Sequence, residues 1–254
     1  MKDTKLFVVL PCYNEEEVLG ETSKRLLELY GKMISEGTVS PESKIVFVDD
    51  GSRDRTWEII SGLCEQNNIY RGVKLAHNAG HQNALLGGLM TVKDECDCAV
   101  SLSADLQDDI NVIPEMVKKF DNGCDVVYGV RSERKTDSFF KRTTAQGFYK
   151  FMAMMGVDVV YNHADYRLMS RRALNDLESF KEVNLFLRGL VPLIGYKSDS
   201  VYYERAERFA GESKYPLKKM LSFAFDGITS FSVKPIKVLW SMGLIVCVAA
   251  GIAA

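Results

Sequence analysis

The sequence predicts an α/β fold with a mostly parallel sheet and helices on both faces of that sheet. Short apolar runs typical of buried strands alternate with helical stretches through the first half of the chain, and this alternation is typical of parallel sheets. With 254 residues, of which 46% are hydrophobic, the chain can form one sizeable α/β domain or two small ones.

The predicted strands and helices follow one another in a regular order. Five strands are expected, at KLFVVLP, SKIVFVDD, RGVKLA, CAVSLSA and DVVYGVR. Helices are expected after them, near 16–34, near 54–66, from about His81, from about Val112 and from about Ser138. The first apolar run is short and leads into a group of acids, so it predicts a buried strand rather than a signal peptide.

The net charge and the cysteine pattern bear on two questions: whether the protein binds nucleic acid, and whether its cysteines form disulfides or bind zinc. A net charge of -2, from 32 basic and 34 acidic residues, gives no global reason to expect nucleic acid, so any anion site must be built locally. The cysteines show neither C-x-x-C pairs nor zinc spacing, which predicts reduced thiols that fill the core. They are Cys12, Cys64, Cys96, Cys98, Cys124 and Cys247.

Unusual polar residues follow the predicted strands: PCYNE, DDGS, SADLQD and Arg131. Because open sheets bind ligands beyond the carboxyl ends of their strands, these residues predict one shared crevice. Asp105, Asp108 and Asp109 would repel each other if all were ionised and close, which points to a bound cation. The glycine-rich dinucleotide and P-loop motifs are absent, so the ligand is held in another way.

Two of these segments have simpler interpretations as well. DDGSRDRT alone also fits a glycine turn that leads into a helix capped by Asp54. HNAGHQNA fits a turn and a helix start, and it gives no role to His77 or His81.

The C-terminal part predicts contact with a membrane. Leu217, Leu221, Ala224, Ile228 and Phe231 recur at helical spacing, as in a helix that lies in the membrane interface; a core-packed helix is the alternative. From Val238 the chain runs 17 residues without a charge, just short of the ~20 that span a bilayer. We expect the start of a truncated transmembrane helix there, or else a buried helix.

Six segments together resemble a known family: VVLPCYNEEE, IVFVDDGSRDRT, SADLQDD, DVVYGVRSERK, DYRLMSRRAL and ERFAGESKYPLKKM. In order and spacing they are similar to the family 2, GT-A class polyprenyl-phosphate glycosyltransferases. These include dolichol-phosphate mannose synthase and bacterial enzymes that load glucose or aminoarabinose onto undecaprenyl phosphate. The resemblance covers about the whole chain and implies a GT-A, Rossmann-like catalytic domain at 1–214, a juxtamembrane amphipathic region at 215–234 and the start of a transmembrane helix at 235–254.

The resemblance implies a nucleotide-sugar donor, which we expect to be UDP-linked, and a divalent metal, Mg²⁺ or Mn²⁺. The positions that match donor contacts are Pro11, Tyr13, Glu15, Val48, Asp50, Ser103 and Ala104. Asp105 matches a metal-binding and catalytic aspartate, and Gln107 a further metal contact. Ser103 departs from the family, which usually has an aspartate there. Mg²⁺ is often held by one or two carboxylates with substrate phosphates and waters, so one lost ligand need not abolish binding.

The acceptor implied is polyprenyl phosphate, whose phosphate would meet Arg131, Arg142, Arg208 and Lys214. Asp165 matches an acid proposed as the catalytic base. A phosphate monoester is largely dianionic at neutral pH and needs little help to attack, so Asp165 has the alternative roles of orienting Arg167 or the sugar. The resemblance implies action at the cytoplasmic face of the plasma membrane, with C-terminal helices as the anchor, and leaves a homo-oligomer open.

Two alternatives to this function remain at the level of sequence. One is a family 2 transferase that elongates a polysaccharide, although the Q-x-x-R-W motif of processive synthases is absent. The other is a catalytically degenerate module that binds a sugar nucleotide or a lipid, which Ser103 motivates.

Overall fold

The computed structural model of the protein describes residues 3–132, 163–180, 186–206 and 234–253. The strands are β1 Leu6–Cys12, β2 Lys44–Asp49, β3 Tyr70–Lys74, β4 Cys98–Ser101, β5 Val126–Arg131, β6 His163–Ser170 and β7 Ser198–Tyr203. The α-helices are α1 Leu19–Ser35, α2 Thr56–Gln66, α3 His81–Val92, α4 Ile113–Asp121, α5 Arg171–Glu178, α6 Leu187–Leu193 and α7 Lys234–Ala253. A short 3₁₀ helix, Ile110–Val112, precedes α4.

The strands form one seven-stranded sheet in the order β3-β2-β1-β4-β6-β5-β7. The pairs β1–β2, β1–β4, β2–β3 and β5–β7 are parallel, and β6 is antiparallel to both β4 and β5. Six strands therefore run in one direction and β6 in the other. As a result, the amino end of β6 lies at the same edge of the sheet as the carboxyl ends of its neighbours.

Helices cover both faces of the sheet because its central strands are apolar on both sides. All seven residues of β1 are buried, as expected of a strand between two helical layers. Leu10 belongs to the cluster that includes Leu26 of α1. On the opposite face, Val9 and Val48 lie so close to Gly88 of α3 that a Cβ there would come within 2.7 Å of Val9 and 2.5 Å of Val48. Glycine at 88 thus lets α3 approach the sheet closely.

The prediction of a mostly parallel α/β sheet is confirmed, and the five predicted strands are β1 to β5. The helices predicted near 16–34, near 54–66 and from His81 are α1, α2 and α3. The 3₁₀ helix and α4 stand where a helix from about Val112 was expected. The helix predicted from Ser138 and the amphipathic region 215–233 lie outside the described residues.

The sequence did not predict β6 and β7. β6 contains Asp165 and Arg167, and a buried charged pair obscures the apolar pattern by which strands are recognised. β7 begins Ser198–Asp199–Ser200, and its first two residues are exposed. Both strands depend on contacts made far along the chain rather than on a local apolar run.

The chain divides into two compact units. One comprises residues 1–134, 162–181 and 190–212, and the other residues 135–161, 182–189 and 213–254. The predicted domain boundaries at 214 and 234 stay predictions.

A helix, α7, stands where the start of a transmembrane helix was predicted. It exposes large apolar side chains, among them Trp240, Ile245 and Ile252. Among the residues for which the structure gives a description, no helix meets the length and apolarity needed to cross a membrane. The transmembrane assignment of 235–254 stays a prediction.

Candidate active site

The loops that follow β1 and β2 are tied together by short polar groups. The backbone N–H of Asn14 donates to the Ser52 hydroxyl at 3.0 Å, and the Asn14 side-chain oxygen accepts from the N–H of Arg53 at 2.9 Å. The N–H of Glu15 donates to the Thr56 hydroxyl at 2.8 Å. Asn14 has a φ of 52°, in the left-handed region that asparagine tolerates better than most residues. These bonds hold the two loops as one surface.

The predicted nucleotide contacts divide into accessible and buried residues. Tyr13 and Glu15 are partly exposed on this surface. Pro11 and Val48 are neighbours in the register of β1 and β2, and both are buried. The side chain of Val48 packs at Gly88, so its described role is packing, and its contact with a nucleotide stays a prediction.

The two adjacent aspartates at the end of β2 have different surroundings. The Asp50 carboxylate accepts backbone N–H bonds from Ala79 at 2.7 Å and Gly80 at 3.0 Å. Burial raises the pKa of Asp50 above its ordinary value, although these two bonds oppose the rise. Asp49 is fully buried; its Oδ1 accepts the N–H of Ser52 at 3.1 Å, and its Oδ2 has no hydrogen-bond partner among the described residues.

An unpartnered buried carboxylate oxygen costs free energy. Each oxygen of Asp50 accepts a loop N–H, whereas Oδ2 of Asp49 is buried and has no hydrogen-bond partner among the described residues. The contact of Asp50 with a nucleotide stays a prediction. The sequence motif DDGS did not distinguish the two residues.

The turn that follows Asp49 and Asp50 requires a glycine at position 51. Its φ is 65°, and a Cβ at this position would lie 2.7 Å from the backbone N of Asn78 and 2.7 Å from the backbone C of His77. The loop before α3 therefore crosses directly over the turn. The glycine turn expected in DDGSRDRT is confirmed. Asp54 accepts the N–H of Thr56, the first residue of α2, at 3.0 Å, but the N-cap residue is Arg55, which makes no side-chain cap hydrogen bond, so the prediction of Asp54 as the cap was wrong.

The loop after β4 holds the predicted metal residue. Asp105 is 6% exposed, and its Oδ1 accepts the N–H of Gln107 at 3.2 Å. Leu106 between them has a φ of 56°, a conformation that costs about 1–2 kcal/mol for a residue with a Cβ. The buried Thr22 of α1 donates its hydroxyl to the carbonyl of Ala104 at 2.8 Å. The loop is thus fixed from α1 in a strained shape.

The residues of this loop fit a metal that is shared with a substrate. Ser103 is partly exposed and supplies no carboxylate, and the side-chain oxygen of Gln107 accepts a hydrogen bond from Arg205. Within 3–132, 163–180, 186–206 and 234–253, no three His, Cys, Asp or Glu side chains are grouped to hold a metal ion. Asp105 fits as a single carboxylate ligand of a cation that phosphate oxygens complete.

The other two acids of the cluster have protein partners. Asp108 is 4% exposed and accepts from Arg131 at 3.1 Å and from the Tyr203 hydroxyl at 2.5 Å. Asp109 caps the 3₁₀ helix and accepts the N–H of Asn111 at 2.9 Å. Two of the three acids therefore have protein partners, and the bound cation expected from this cluster stays a prediction.

Arg131 was predicted to contact a lipid phosphate, and the structure places it at the carboxyl end of β5. Burial lowers the pKa of Arg131, but Asp108 and Tyr203 outweigh this and raise it. Arg205, which the sequence analysis did not single out, is exposed beside it. Burial of part of its guanidinium and the charge of Arg131 lower the pKa of Arg205. Two cations therefore lie beside the Asp105 loop.

Asp165 lies near the amino end of β6 and is held from two sides. Its Oδ1 accepts from the fully buried Arg167 at 2.9 Å, and its Oδ2 accepts from the Gln82 amide at 3.0 Å. His81 Nε2 is 3.7 Å from the same Oδ2. The Ser101 hydroxyl at the end of β4 donates to the Asp165 carbonyl. Asp165 therefore contacts Arg167, as the alternative role of orienting Arg167 requires.

Three predicted cations, Arg142, Arg208 and Lys214, lie outside the described residues. The residues that sequence reasoning missed are Gln82, Tyr203 and Arg205. Arg205 stands three residues before Arg208, and this closeness to a predicted phosphate contact was a usable signal. For Tyr203 and Gln82, which contact residues 95 and 83 positions away, the sequence offered none.

Comparison with known proteins shows which family and which proteins the sequence is similar to. The model of the family described as "Glycosyl transferase family 2" matches residues 7–178. The chain is 57% identical over 240 residues to "Uncharacterized glycosyltransferase YkoT" of Bacillus subtilis (strain 168), covering 94% of this chain and 71% of that protein. It is 37% identical over 243 residues to "Prophage bactoprenol glucosyl transferase homolog" of Escherichia coli (strain K12), covering 95% and 77%.

Solved structures share the fold at lower identity. Glucosyl-3-phosphoglycerate synthase from Mycobacterium tuberculosis, in complex with Mn²⁺, uridine-diphosphate-glucose and phosphoglyceric acid, is 18% identical with a TM-score of 0.54, covering 89% of this chain and 78% of that one. S. aureus TarS 1–349 in complex with UDP-GlcNAc is 16% identical with a TM-score of 0.54, covering 87% and 66%. These two show the likeness of the fold.

Proposed function

Because the chain belongs to glycosyl transferase family 2, we propose that it moves a sugar from a nucleotide-sugar donor to polyprenyl phosphate. The observation that carries the proposal is the convergence of Asp49, Asp105, Arg131 and Asp165 at one edge of the sheet. Several relatives that are 37% identical over most of the chain are named bactoprenol glucosyl transferases, which favours glucose as the sugar and a polyprenyl phosphate as the acceptor.

The donor nucleotide would bind on the surface formed by the loops after β1 and β2. Oδ2 of Asp49, which has no hydrogen-bond partner within the described part of the chain, would accept a ring N–H of the base. Tyr13 and Glu15 are partly exposed in the loop after β1. A buried carboxylate that requires a donor discriminates strongly against bases that lack one, because it would otherwise stay unpaired. This surface supports a uracil base, whose ring carries such an N–H.

Asp105 would hold a divalent cation, Mg²⁺ or Mn²⁺, together with the donor diphosphate. The cation would neutralise charge that develops on the leaving group. Gln107 would join it only by giving up its hydrogen bond with Arg205. The restraint of the loop by Thr22 would hold the Asp105 carboxylate in place, with little reorganisation when the donor binds.

The acceptor phosphate would meet Arg131 and, beside it, Arg205. Because Asp108 already balances the charge of Arg131, a dianionic phosphate needs further cations. The resemblance supplies Arg142, Arg208 and Lys214 for this purpose, and we keep them as predicted contacts. Planar guanidinium groups suit two-point contact with phosphate.

The transfer would be a single displacement. A phosphate oxygen attacks the anomeric carbon, the bond from that carbon to the donor diphosphate breaks, and the nucleoside diphosphate leaves. An α-linked donor then gives a β-linked lipid-phosphate sugar. A dianionic phosphate needs no proton removed, so Asp165 would position Arg167 and the acceptor rather than act as a base.

The reaction would take place at the cytoplasmic face of the membrane, where a polyprenyl phosphate presents its headgroup. Residues 215–234 would lie in the interface, and 235–254 would contact the bilayer. The exposed apolar side chains of α7, such as Trp240 and Ile245, favour a lipid environment for this helix.

The test is a panel of radiolabelled nucleotide sugars offered with undecaprenyl phosphate and Mg²⁺ or Mn²⁺. We expect label from UDP-glucose to move into the organic phase. An Asp105→Asn variant is the matched control, since it should bind the same membranes without transferring label. Binding of donor without any transfer, across the whole panel, would instead indicate the degenerate binding module.

A further inference from the structure

The carboxylate of Asp165 is fixed by two different structural elements, and one of its partners has no assigned role. We propose that Gln82, in the first turn of α3, is a positioning residue that orients the Asp165 carboxylate for the acceptor. This inference rests on the proposed function.

The geometry around Asp165 accounts for both of its oxygens. Arg167, on the same face of β6, donates to Oδ1 at 2.9 Å, and the Gln82 amide donates to Oδ2 at 3.0 Å. The Asp165 side chain is 15% exposed. A carboxylate offers about four lone-pair sites, and a donor on each oxygen sets the plane of the group.

Arg167 alone would not fix this plane. A single hydrogen bond to one oxygen leaves the carboxylate able to rotate about its terminal torsion, which is broad for aspartate. A second donor on the other oxygen removes that freedom. His81 lies 3.7 Å from Oδ2, beyond the range of a direct hydrogen bond, so the Gln82 amide is the closer donor.

Gln82 is suited to this role because its helix is itself fixed. The two residues before α3 donate their N–H groups to Asp50, at 2.7 Å from Ala79 and 3.0 Å from Gly80. Further along α3, Gly88 presses against β1 and β2. The first turn of α3 therefore connects the donor side of the site, through Asp50, with Asp165.

If Gln82 positions Asp165, its substitution should lower kcat and leave nucleotide affinity nearly unchanged. A general loss of structure would lower both. Misplacement of a reacting group by about 1 Å lowers rates by about 10²-fold. We therefore expect Gln82→Met, which keeps the side-chain length but removes the amide, to lower kcat with polyprenyl phosphate about 10- to 100-fold. Nucleotide affinity should change less than about twofold.

Two companion variants sharpen the test. Gln82→Glu places a second carboxylate beside Asp165 and should lose more activity than Gln82→Met. Gln82→Asn shortens the side chain by one methylene but keeps the amide, and should recover part of the rate. Thr91→Ala, near the far end of the same helix, removes a hydroxyl that donates to the carbonyl of Gly87 in that helix; it is the matched control and should keep wild-type kcat.

The contact itself is tested without activity by a double-mutant cycle in denaturant unfolding. Gln82→Met and Asp165→Asn should shift the unfolding midpoint by less together than the sum of their separate shifts. Additive shifts, or an unchanged kcat in Gln82→Met, or equal losses of kcat and nucleotide affinity, would overturn the positioning role. If wild-type enzyme transfers no sugar to any polyprenyl phosphate, the proposed function fails, while the cycle still decides whether the two side chains are coupled.

Discussion

The two halves of the candidate site are built from different interactions. The donor half, formed by the loops after β1, β2 and β3, is held mainly by hydrogen bonds between backbone N–H groups and short polar side chains such as Ser52 and Thr56. The acceptor half is held by charged pairs, Asp108 with Arg131 and Asp165 with Arg167.

Because of this difference, we expect substitutions in the two halves to have different effects. In the donor half, Oδ2 of Asp49 has no hydrogen-bond partner among the described residues. We propose that a bound ligand supplies this hydrogen bond. In the acceptor half the protein has already balanced its charges, so removing one member leaves the other uncompensated. Substitutions there should affect stability as well as turnover, whereas donor-half substitutions should chiefly affect nucleotide affinity or local stability.

The largest effect is expected at the buried ion pair of β6. Asp165→Asn leaves the fully buried Arg167 without a charged partner at Asp165, and should lower the free energy of unfolding by about 3–5 kcal/mol. The double variant Asp165→Asn with Arg167→Met should recover much of that loss. Denaturant unfolding measures both. A double variant less stable than Asp165→Asn would show that the pair is not a structural unit, and loss of activity in Asp165→Asn alone cannot identify a base.

The next effect concerns Asp105, where the two halves meet. Asp105→Asn should lower turnover by about 10²–10³-fold even with excess metal, because it removes the carboxylate that the loop presents. Ser103→Asp, which restores the aspartate usual in the family, should keep or improve metal affinity, measured by Mn²⁺ titration. Near-normal turnover of Asp105→Asn in metal-replete buffer would refute the metal assignment.

A smaller effect is expected in the donor half at Gly51. Gly51→Ala combines a positive φ with contacts at 2.7 Å to backbone atoms of 77 and 78, and should cost at least about 1–2 kcal/mol of stability together with nucleotide affinity. Gly62→Ala in the interior of α2, where a Cβ would meet nothing within 4 Å, is the control and should stabilise by about 0.5–1 kcal/mol. If Gly51→Ala and Gly62→Ala changed the free energy of unfolding equally, the conclusion that the turn requires glycine at 51 would be wrong.

The smallest effect is a dependence on pH at Asp54. Burial alone would raise the pKa of Asp54, but hydrogen bonds from Thr56 and Glu16 outweigh it and lower the pKa below the ordinary 3.8. Its contribution is therefore present above that value and lost as the pH falls through the folded pKa. Asp54→Ala removes the acceptor of the N–H bonds from Glu16 and Thr56, and should cost about 1 kcal/mol at pH 7 and less near pH 3. A difference that does not shrink in acid would contradict the pKa shift.

The sequence predicted the parts of the molecule that depend on local pattern. β1 to β5 are apolar runs flanked by turn residues, and the polar groups after β1, β2, β4 and β5 do meet at one edge of the sheet. The sequence did not reveal that Asp108 and Arg131 neutralise one another, because their bond joins a loop to a strand end 23 residues away. Nor did it distinguish Asp49 from Asp50, since that difference depends on the loop that donates to only one of them.

The most direct test of the two-part site compares one residue from each half in the same two assays. Nucleotide titration by calorimetry and acceptor-dependent kinetics would be run for Asp49→Asn and Arg131→Ala, with Arg131→Lys to retain the charge. We expect Asp49→Asn to weaken nucleotide binding by about 10- to 100-fold, the range for a hydrogen bond to a charged group. Arg131→Ala should leave nucleotide binding nearly unchanged and raise the barrier with the lipid acceptor by about 2–5 kcal/mol. Equal losses in both assays for Arg131→Ala, or unchanged nucleotide affinity in Asp49→Asn, would contradict the division of the site.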